Sequence, residues 1–313
     1  MAAFTRWLSG TTVVHASMGP AYYNTALTMD DASATQNAKL TIYLRVLMVP
    51  APLQMHPLAD VPDPSAPGGT RKARVEYVPV DDKNTVFRTV KLREWDARTG
   101  EFDRFRDAVE AQANTFWDNT QLCLIPPADY RGLDWPAQRP THKLNVDCRF
   151  EVVRANSLKD AHRVIYCKCV DEPHDVFTLR SNMGTSYGVL DSGDLNGNYV
   201  WSNQLGVGGT PAPVWVSYCV PHEVGHALGM PHVGVQSGQR ACLDAMAGKA
   251  TDMGPTQCYL GATPVDSLNV MGLGTLIAPW NGLPWLLRAP LHTTTHLADW
   301  RVTVGKQAPQ VRK

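Results

Sequence analysis

The stretch Pro221-His222-Glu223-Val224-Gly225-His226-Ala227-Leu228-Gly229-Met230-Pro231-His232 decides how this chain is read. Two histidines four residues apart on a helix lie one turn apart on the same face. Their imidazoles can therefore share one metal ion. Pro221 suits the first turn of such a helix, where a missing N–H costs nothing. Gly229 permits a sharp exit, because glycine accepts positive φ, and the exit brings His232 back as a third ligand. Three protein ligands leave a fourth position for water, which is how catalytic zinc sites differ from closed structural ones. Glu223, beside the first histidine, is then the candidate general base for that water. Histidines that merely decorate a helix surface are the bland alternative, and they do not explain five defined residues at fixed spacing.

The pattern H-E-x-x-H-x-x-G-x-x-H resembles the metzincin clan of zinc endopeptidases. A second element, Ser267-Leu268-Asn269-Val270-Met271-Gly272, is similar to the clan's Met-turn, with Met271 as the floor beneath the metal. The resemblance covers Pro221 to Met271. It implies an α+β, zincin-like fold: a twisted mixed sheet, a long backing helix, an active-site helix and a small, mostly irregular C-terminal half. It implies one catalytic Zn2+ on His222, His226 and His232, with Glu223 as base, hydrolysing internal bonds of a protein or peptide substrate. An upper part would run over about residues 39–232 and a lower part over 233–313. Two positions depart from the better-known families. Val233 follows the third histidine, and Leu273 stands where some families place a tyrosine. No subfamily is assigned and no tyrosine role is carried over.

Outward from the motif, the composition sets bounds. Basic and acidic residues balance at 29 each among 313 residues, which gives no electrostatic footprint for nucleic acid. No run of 18 apolar residues occurs, so no membrane-spanning helix is expected. Met1 to Met18 has no continuous apolar stretch of the kind a secretory signal needs; a conventional signal peptide is not expected, and a non-classical or dedicated export route stays open. Seven cysteines leave at least one unpaired. Cys242 and Cys258 bracket the loop between the third histidine and the Met-turn, where a disulfide would tie down the connection, but pairing cannot be read from sequence. Cys167 and Cys169 share one face of an expected strand, with Lys168 on the other. No Pro-Arg-Cys-Gly type switch precedes the motif.

Along the chain, residues 1–38 read as an irregular N-terminal arm. Lys39–Val49 reads as a strand, and Pro50–Gly69, with six prolines, as a loop or linker. Val75–Val90 is expected to be extended. Phe102, Phe105, Val109, Ala113, Phe116 and Trp117 recur at helical spacing and predict a helix over Glu101–Asp118. Strict alternation at Leu144, Val146, Cys148, Phe150 and Val152 predicts a half-buried strand, and Arg163–Val170 another. Tyr187–Leu190 and Tyr199–Trp201 flank a turn-rich segment; the resemblance implies an edge strand shortly before the active-site helix that binds an extended substrate, and one of these two flanks is the candidate. Within that segment Asp191, Asp194, Asn196 and Asn198 offer oxygen ligands of the Ca2+ type, although the spacing is not that of an EF-hand and a plain turn is the ordinary reading. Trp280 and Trp285 either line a substrate pocket or pack the C-terminal half. His292 and His296 are expected to be solvent-exposed.

The motif supports three functions: a zinc endopeptidase, a zinc amidase acting on cell-wall peptides, and a toxin or binding module whose zinc site is not catalytic. An intact Glu223 favours the catalytic readings, since a structural site needs no base.

Overall fold

Along Ala38–Pro50 every second side chain is apolar, and Ala38, Leu40, Ile42, Leu44, Val46 and Met48 are all buried. This strand lies at the centre of the computed structural model. The structure describes residues 4–29, 38–63, 65–79, 86–126, 145–171, 181–184, 186–201, 213–247, 249, 258–293 and 295–305. In chain order the described strands are β1 (Phe4–Thr12), β2 (Ala21–Met29), β3 (Ala38–Pro50), β4 (Leu58–Pro62), β5 (Thr70–Pro79), β6 (Phe87–Arg93), β7 (Leu122–Ile125), β8 (Val146–Arg154), β9 (Arg163–Val170), β10 (Asn182–Met183), β11 (Tyr187–Asp191), β12 (Asn198–Trp201), β13 (Pro213–Ser217) and β14 (Arg301–Val304). The helices are α1 (Glu101–Asp118), α2 (Cys219–Ala227), α3 (Val233–Gln236), α4 (Arg240–Met246), α5 (Pro264–Ser267), α6 (Leu283–Leu286) and α7 (Ala289–Thr293).

Twelve strands form one mixed sheet, and β12 and β13 form a separate antiparallel pair. The architecture is α+β, with few helices. β3 runs parallel to β8 along Ala38–Val46 and parallel to β9 along Val46–Pro50, while its Lys39–Tyr43 stretch also pairs antiparallel with β2. A strand has two edges, so β2 and β9 follow one another along the edge that β8 does not use. Parallel strands covered on both faces bury nearly all their side chains, and in β9 Ile165, Cys167, Lys168, Cys169 and Val170 are all buried. Lys168 enters with a partner, its Nζ 2.6 Å from Glu76. Cys167 and Cys169 are free thiols inside the protein.

α1 takes the bounds its periodicity predicts and buries Phe105, Val109, Ala113 and Trp117 against the sheet. Trp117 is fully buried and its indole N–H donates to the Pro221 carbonyl at 3.0 Å. One side chain thus joins the backing helix to α2. Trp285 packs 6.2 Å from Trp117, ring centre to ring centre, and donates to the Arg149 carbonyl at 2.8 Å. It is core, and a pocket role for it is not supported.

Three expectations change. The first 38 residues contain the hairpin β1–β2, which is part of the sheet. Buried Arg288 holds this hairpin by donating to the carbonyls of Gly10 and Tyr23, and Tyr23 donates back to Pro284. The proline-rich stretch after β3 contains β4, which among the described residues pairs only with β5 and ends at Pro62. An edge strand tolerates that proline because the lost N–H faces no partner. His292 is buried, bonded through Nε2 to Thr25 Oγ1 at 2.9 Å, while His296 is exposed. Among the described residues no helix is long and apolar enough to cross a membrane.

Replacing a fully buried tryptophan by alanine costs about 3–5 kcal/mol. Trp117→Ala should lower unfolding stability by that amount in urea titrations, and more than an exposed change such as Trp7→Ala.

Candidate metal centre

The helix that carries the motif is short because its sequence limits it at both ends. Pro221 sits in the first turn, and after Ala227 the chain leaves through Gly229 at φ +89°. Gly229 donates to the His226 carbonyl at 2.9 Å and Met230 to the Gly225 carbonyl at 3.0 Å, closing the helix end. Arg163, buried at the start of β9, donates to the Ala227 carbonyl at 2.7 Å. A cation at a helix C-terminus complements the helix dipole. The reversed chain then presents His232 as the residue capping α3.

The three histidines converge. His226 Nε2 lies 3.1 Å from His222 Nε2 and 3.0 Å from His232 Nε2, and all three ligand atoms fall within 4.8 Å of one another. His222 Nδ1 lies 2.7 Å from the Val270 carbonyl and His226 Nδ1 2.8 Å from the Met230 carbonyl. A carbonyl only accepts, so each of these Nδ1 atoms carries the proton and each Nε2 presents a bare lone pair. Lone pairs facing one another at 3.0–3.1 Å repel unless a cation lies between them. Tetrahedral ligands at the ~2.0–2.1 Å of a zinc–imidazole bond stand about 3.3 Å apart, close to this spacing. The residues therefore fit a metal ion. An all-imidazole set suits zinc, copper, iron and nickel alike. Among the described residues no other group of three His, Cys, Asp or Glu converges in this way.

Met271 lies in a tight turn below α2. Asn269 is buried, and its side-chain oxygen accepts from the Met271 N–H at 2.9 Å while its carbonyl accepts from Gly272 at 2.8 Å. Asn269 is itself fixed by fully buried Asn281 at 2.7 Å. This turn supports two ligands: Val270 orients His222, and the Met271 carbonyl accepts from Val233, the residue after His232, at 3.1 Å. The Met271 side chain packs beneath α2 so closely that a methyl on Gly225 would overlap its sulfur. Gly225 stands between the two helical histidines, and its missing side chain is what admits Met271.

Glu223 is buried. One carboxylate oxygen, Oε2, has no hydrogen-bond partner, and the Met183 backbone amide lies close enough to favour the charged form slightly. Burial, reinforced by the nearby Asp194 carboxylate, pushes its pKa up to about 8 in the metal-free protein. A bound cation beside it acts in the opposite direction. Burial lowers the histidines, His222 to about 3, His226 to about 4 and His232 well below its usual value.

Two of the candidate calcium ligands are engaged within their own turn. Asp191 accepts from Gly193, and Asp194 accepts from the Asp191 N–H and from Ser181, so both serve their own turn. Asn196 is exposed, and the Asn198 side chain lies outside the described residues. Of the two candidate edge strands, β11 is internal, lying between β9 and β10, while β12 belongs to the separate pair. The disulfide left open by the sequence is formed between Cys242 and Cys258. It packs against Gly234 in α3, next to the triad.

Sequence reasoning missed Tyr259. Its ring centre lies 4.1 Å from that of His232 and 5.3 Å from that of His222. Burial, with the neighbouring Glu223 charge, raises its pKa well above the usual tyrosine value. The available signal was its place directly after Cys258.

Compared with protein-family models, curated proteins and solved structures, the chain matches none.

Two measurements test this geometry. Gly225→Ala should cost about 1–3 kcal/mol through the overlap with Met271. The cost should shrink in a Met271→Ala background, where the methyl has room, so four unfolding curves should be non-additive. Ordinary imidazoles near pKa 6.5 are mostly protonated at pH 5.5 and release metal there. Because burial keeps these three neutral well below pH 6, metal affinity by chelator competition in a Glu223→Gln background, where the raised carboxyl no longer titrates, should change by less than roughly threefold between pH 7.5 and pH 5.5.

Proposed function

We propose that the protein is a zinc-dependent endopeptidase of metzincin type. The observation that carries this reading is a buried carboxylate with a free oxygen, Glu223, on the same short helix as two of three imidazoles whose lone pairs converge. A structural metal site needs no such group. The methionine turn beneath α2 adds support, since Met271 sits under the midpoint of the two helical ligands.

When bound, zinc supplies a Lewis acid and makes a coordinated water more acidic. His222, His226 and His232 hold it, with Val270 and Met230 fixing the first two rings. Glu223 accepts the proton of the attacking water as general base, and returns it to the amine as the peptide bond breaks. A carboxyl pushed above the ordinary range is suited to both halves of that exchange near neutral pH. The Met183 backbone lies close to the carboxylate, and Oε2, which has no partner, is left for the water.

The same contact suggests where substrate lies. Met183 belongs to β10, which among the described residues pairs only with β11. An extended peptide added along the other edge of β10 would pass beside Glu223, with its backbone satisfied by strand pairing.

Glu223→Gln should keep the metal and lower peptide cleavage by about 10²–10⁴-fold. His222→Ala, His226→Ala and His232→Ala should each weaken metal binding. The check is zinc content and casein cleavage, with and without chelator, for wild type and Glu223→Gln side by side. A fully active Glu223→Gln protein would remove the mechanism. Metal in both with cleavage by neither, on casein and on peptidoglycan fragments, would remove the hydrolase reading.

A further inference from the structure

The three histidines are not held in the same way. Nδ1 of His222 and Nδ1 of His226 are fixed by the carbonyls of Val270 and Met230. Among the described residues no hydrogen bond fixes Nδ1 of His232, whose printed contact is through Nε2. The bond from Val233 to the Met271 carbonyl places the backbone there. The His232 ring is set by packing, with the Tyr259 ring centre 4.1 Å away at a tilt of 45°. Tyr259 follows Cys258 directly, and Cys258 is bonded to Cys242 of α4, sixteen positions earlier. The same bridge supports α3, which begins beside His232. A side-chain carbon on Gly234 would come within 2.8 Å of Cys242 Sγ and 3.0 Å of the Cys258 carbonyl. One disulfide thus braces the third histidine from two sides.

Both cysteines of the bridge are buried, so a reductant reaches it only when α4 lifts. Little resists that movement. Cys242 is the only buried side chain among the described residues of α4, and with Val235 and Cys258 it forms a small cluster apart from the main core. The ion pairs of Asp244 with Arg240 and Lys249 lie at the surface, where such pairs contribute little. A segment with few buried contacts opens locally without global unfolding. After Cys258 the chain is also tied by Gln239, which donates to the Leu260 carbonyl at 3.2 Å, and by Ser267 Oγ, which accepts from the Gly261 N–H at 3.1 Å. Gln239 is the residue that opens α4, so its contact leaves with that helix. The other five cysteines are free thiols, and this pair alone carries disulfide chemistry.

We propose that the Cys242–Cys258 bridge is a redox switch on the metal centre: a dithiol that reduces it frees α4 and Tyr259 from beside His232 and weakens metal binding, and reoxidation restores it. The step is an exchange of thiols and disulfide. Two thiols of the reductant become a disulfide, the Cys242–Cys258 bond breaks, and each of its sulfurs takes up one hydrogen. A change in packing beside one metal ligand is then read out as affinity. The proposal rests on the reading of the triad as a metal centre, and not on peptide cleavage.

The test treats native wild type with dithiothreitol, removes the reductant by anaerobic desalting, and reads three quantities: thiols per chain, far-ultraviolet circular dichroism, and cobalt(II) affinity by chelator competition. Reduction should add two thiols while the dichroism stays that of the folded protein. Cobalt affinity should fall by roughly 10–100-fold, the usual effect of losing a partner that orients a ligand, and return on reoxidation. Linkage requires the reciprocal effect, so bound cobalt should oppose reduction by the same factor. Cys242→Ser/Cys258→Ser should bind cobalt as weakly as reduced wild type and should not respond to dithiothreitol. A folded, reduced protein whose cobalt affinity lies within twofold of the oxidised one overturns the proposal. Reduction that occurs only together with global unfolding overturns it too, because the bridge is then a structural staple. If the double variant does not fold, the wild-type comparison decides alone. If neither redox state cleaves peptide while the cobalt shift stands, the peptidase reading fails and the switch survives.

Discussion

The turn at Val270–Met271 is the constraint on which the centre depends. Its two carbonyls do different work. That of Val270 accepts from His222 Nδ1 and so decides which nitrogen of that ring faces the metal position. That of Met271 accepts from Val233 and sets where the chain after Gly229 comes to rest, and with it His232. A first and a third ligand ten residues apart are thus referenced to one short segment. The turn is rigid because Asn269 and Asn281, both buried, satisfy each other and the local backbone. Buried amides in a closed network are costly to rearrange, since each broken bond strands a polar group.

The rest of the fold holds α2 against that turn. Trp117 of α1 bonds the first turn of α2, and Arg163 of β9 bonds its last. α1 and β9 both pack on the sheet built around β3, so each end of the nine-residue helix is tied to the largest core cluster. Gly225 allows the third contact, from below. A short helix has little stability of its own, and here tertiary contacts at both ends and underneath replace it. Orientation of the ligands through their other ring nitrogens has the same logic as the outer partners of metal sites in general, which fix tautomer and angle before the ion arrives.

Several long-range contacts had no trace in local pattern. The hairpin β1–β2 is polar and weakly alternating, and reads as an irregular arm until Arg288 and His292, more than 260 residues later, are seen to bind it. β4 lies in a proline-rich stretch, where an edge position removes the usual objection to proline. Asp191 and Asp194 look like cation ligands in sequence because only oxygen type and spacing are visible there; that their oxygens already accept hydrogen bonds from Gly193 and Ser181 is a fact of conformation. Tyr259 gave no motif signal, since its relation to His232 passes through a disulfide whose pairing no spacing reveals.

The sequence by itself determined the elements whose signal is periodic or stereochemical. It determined α1 from its apolar spacing, β3, β8 and β9 from alternation and β-branched content, and the candidate metal-holding triad from the fixed spacing of His222, His226 and His232. Those features depend on residues that are near one another along the chain, where helix and strand geometry alone relate them. The tertiary structure decided which ring nitrogens face inward, that Met271 fits beneath Gly225, that among the described residues β11 is internal and β10 an edge, and that Tyr259 packs against the histidines. Each of these depends on segments far apart in sequence meeting in space, and that meeting is set by packing and by the need to satisfy buried polar groups, neither of which leaves a period in the chain.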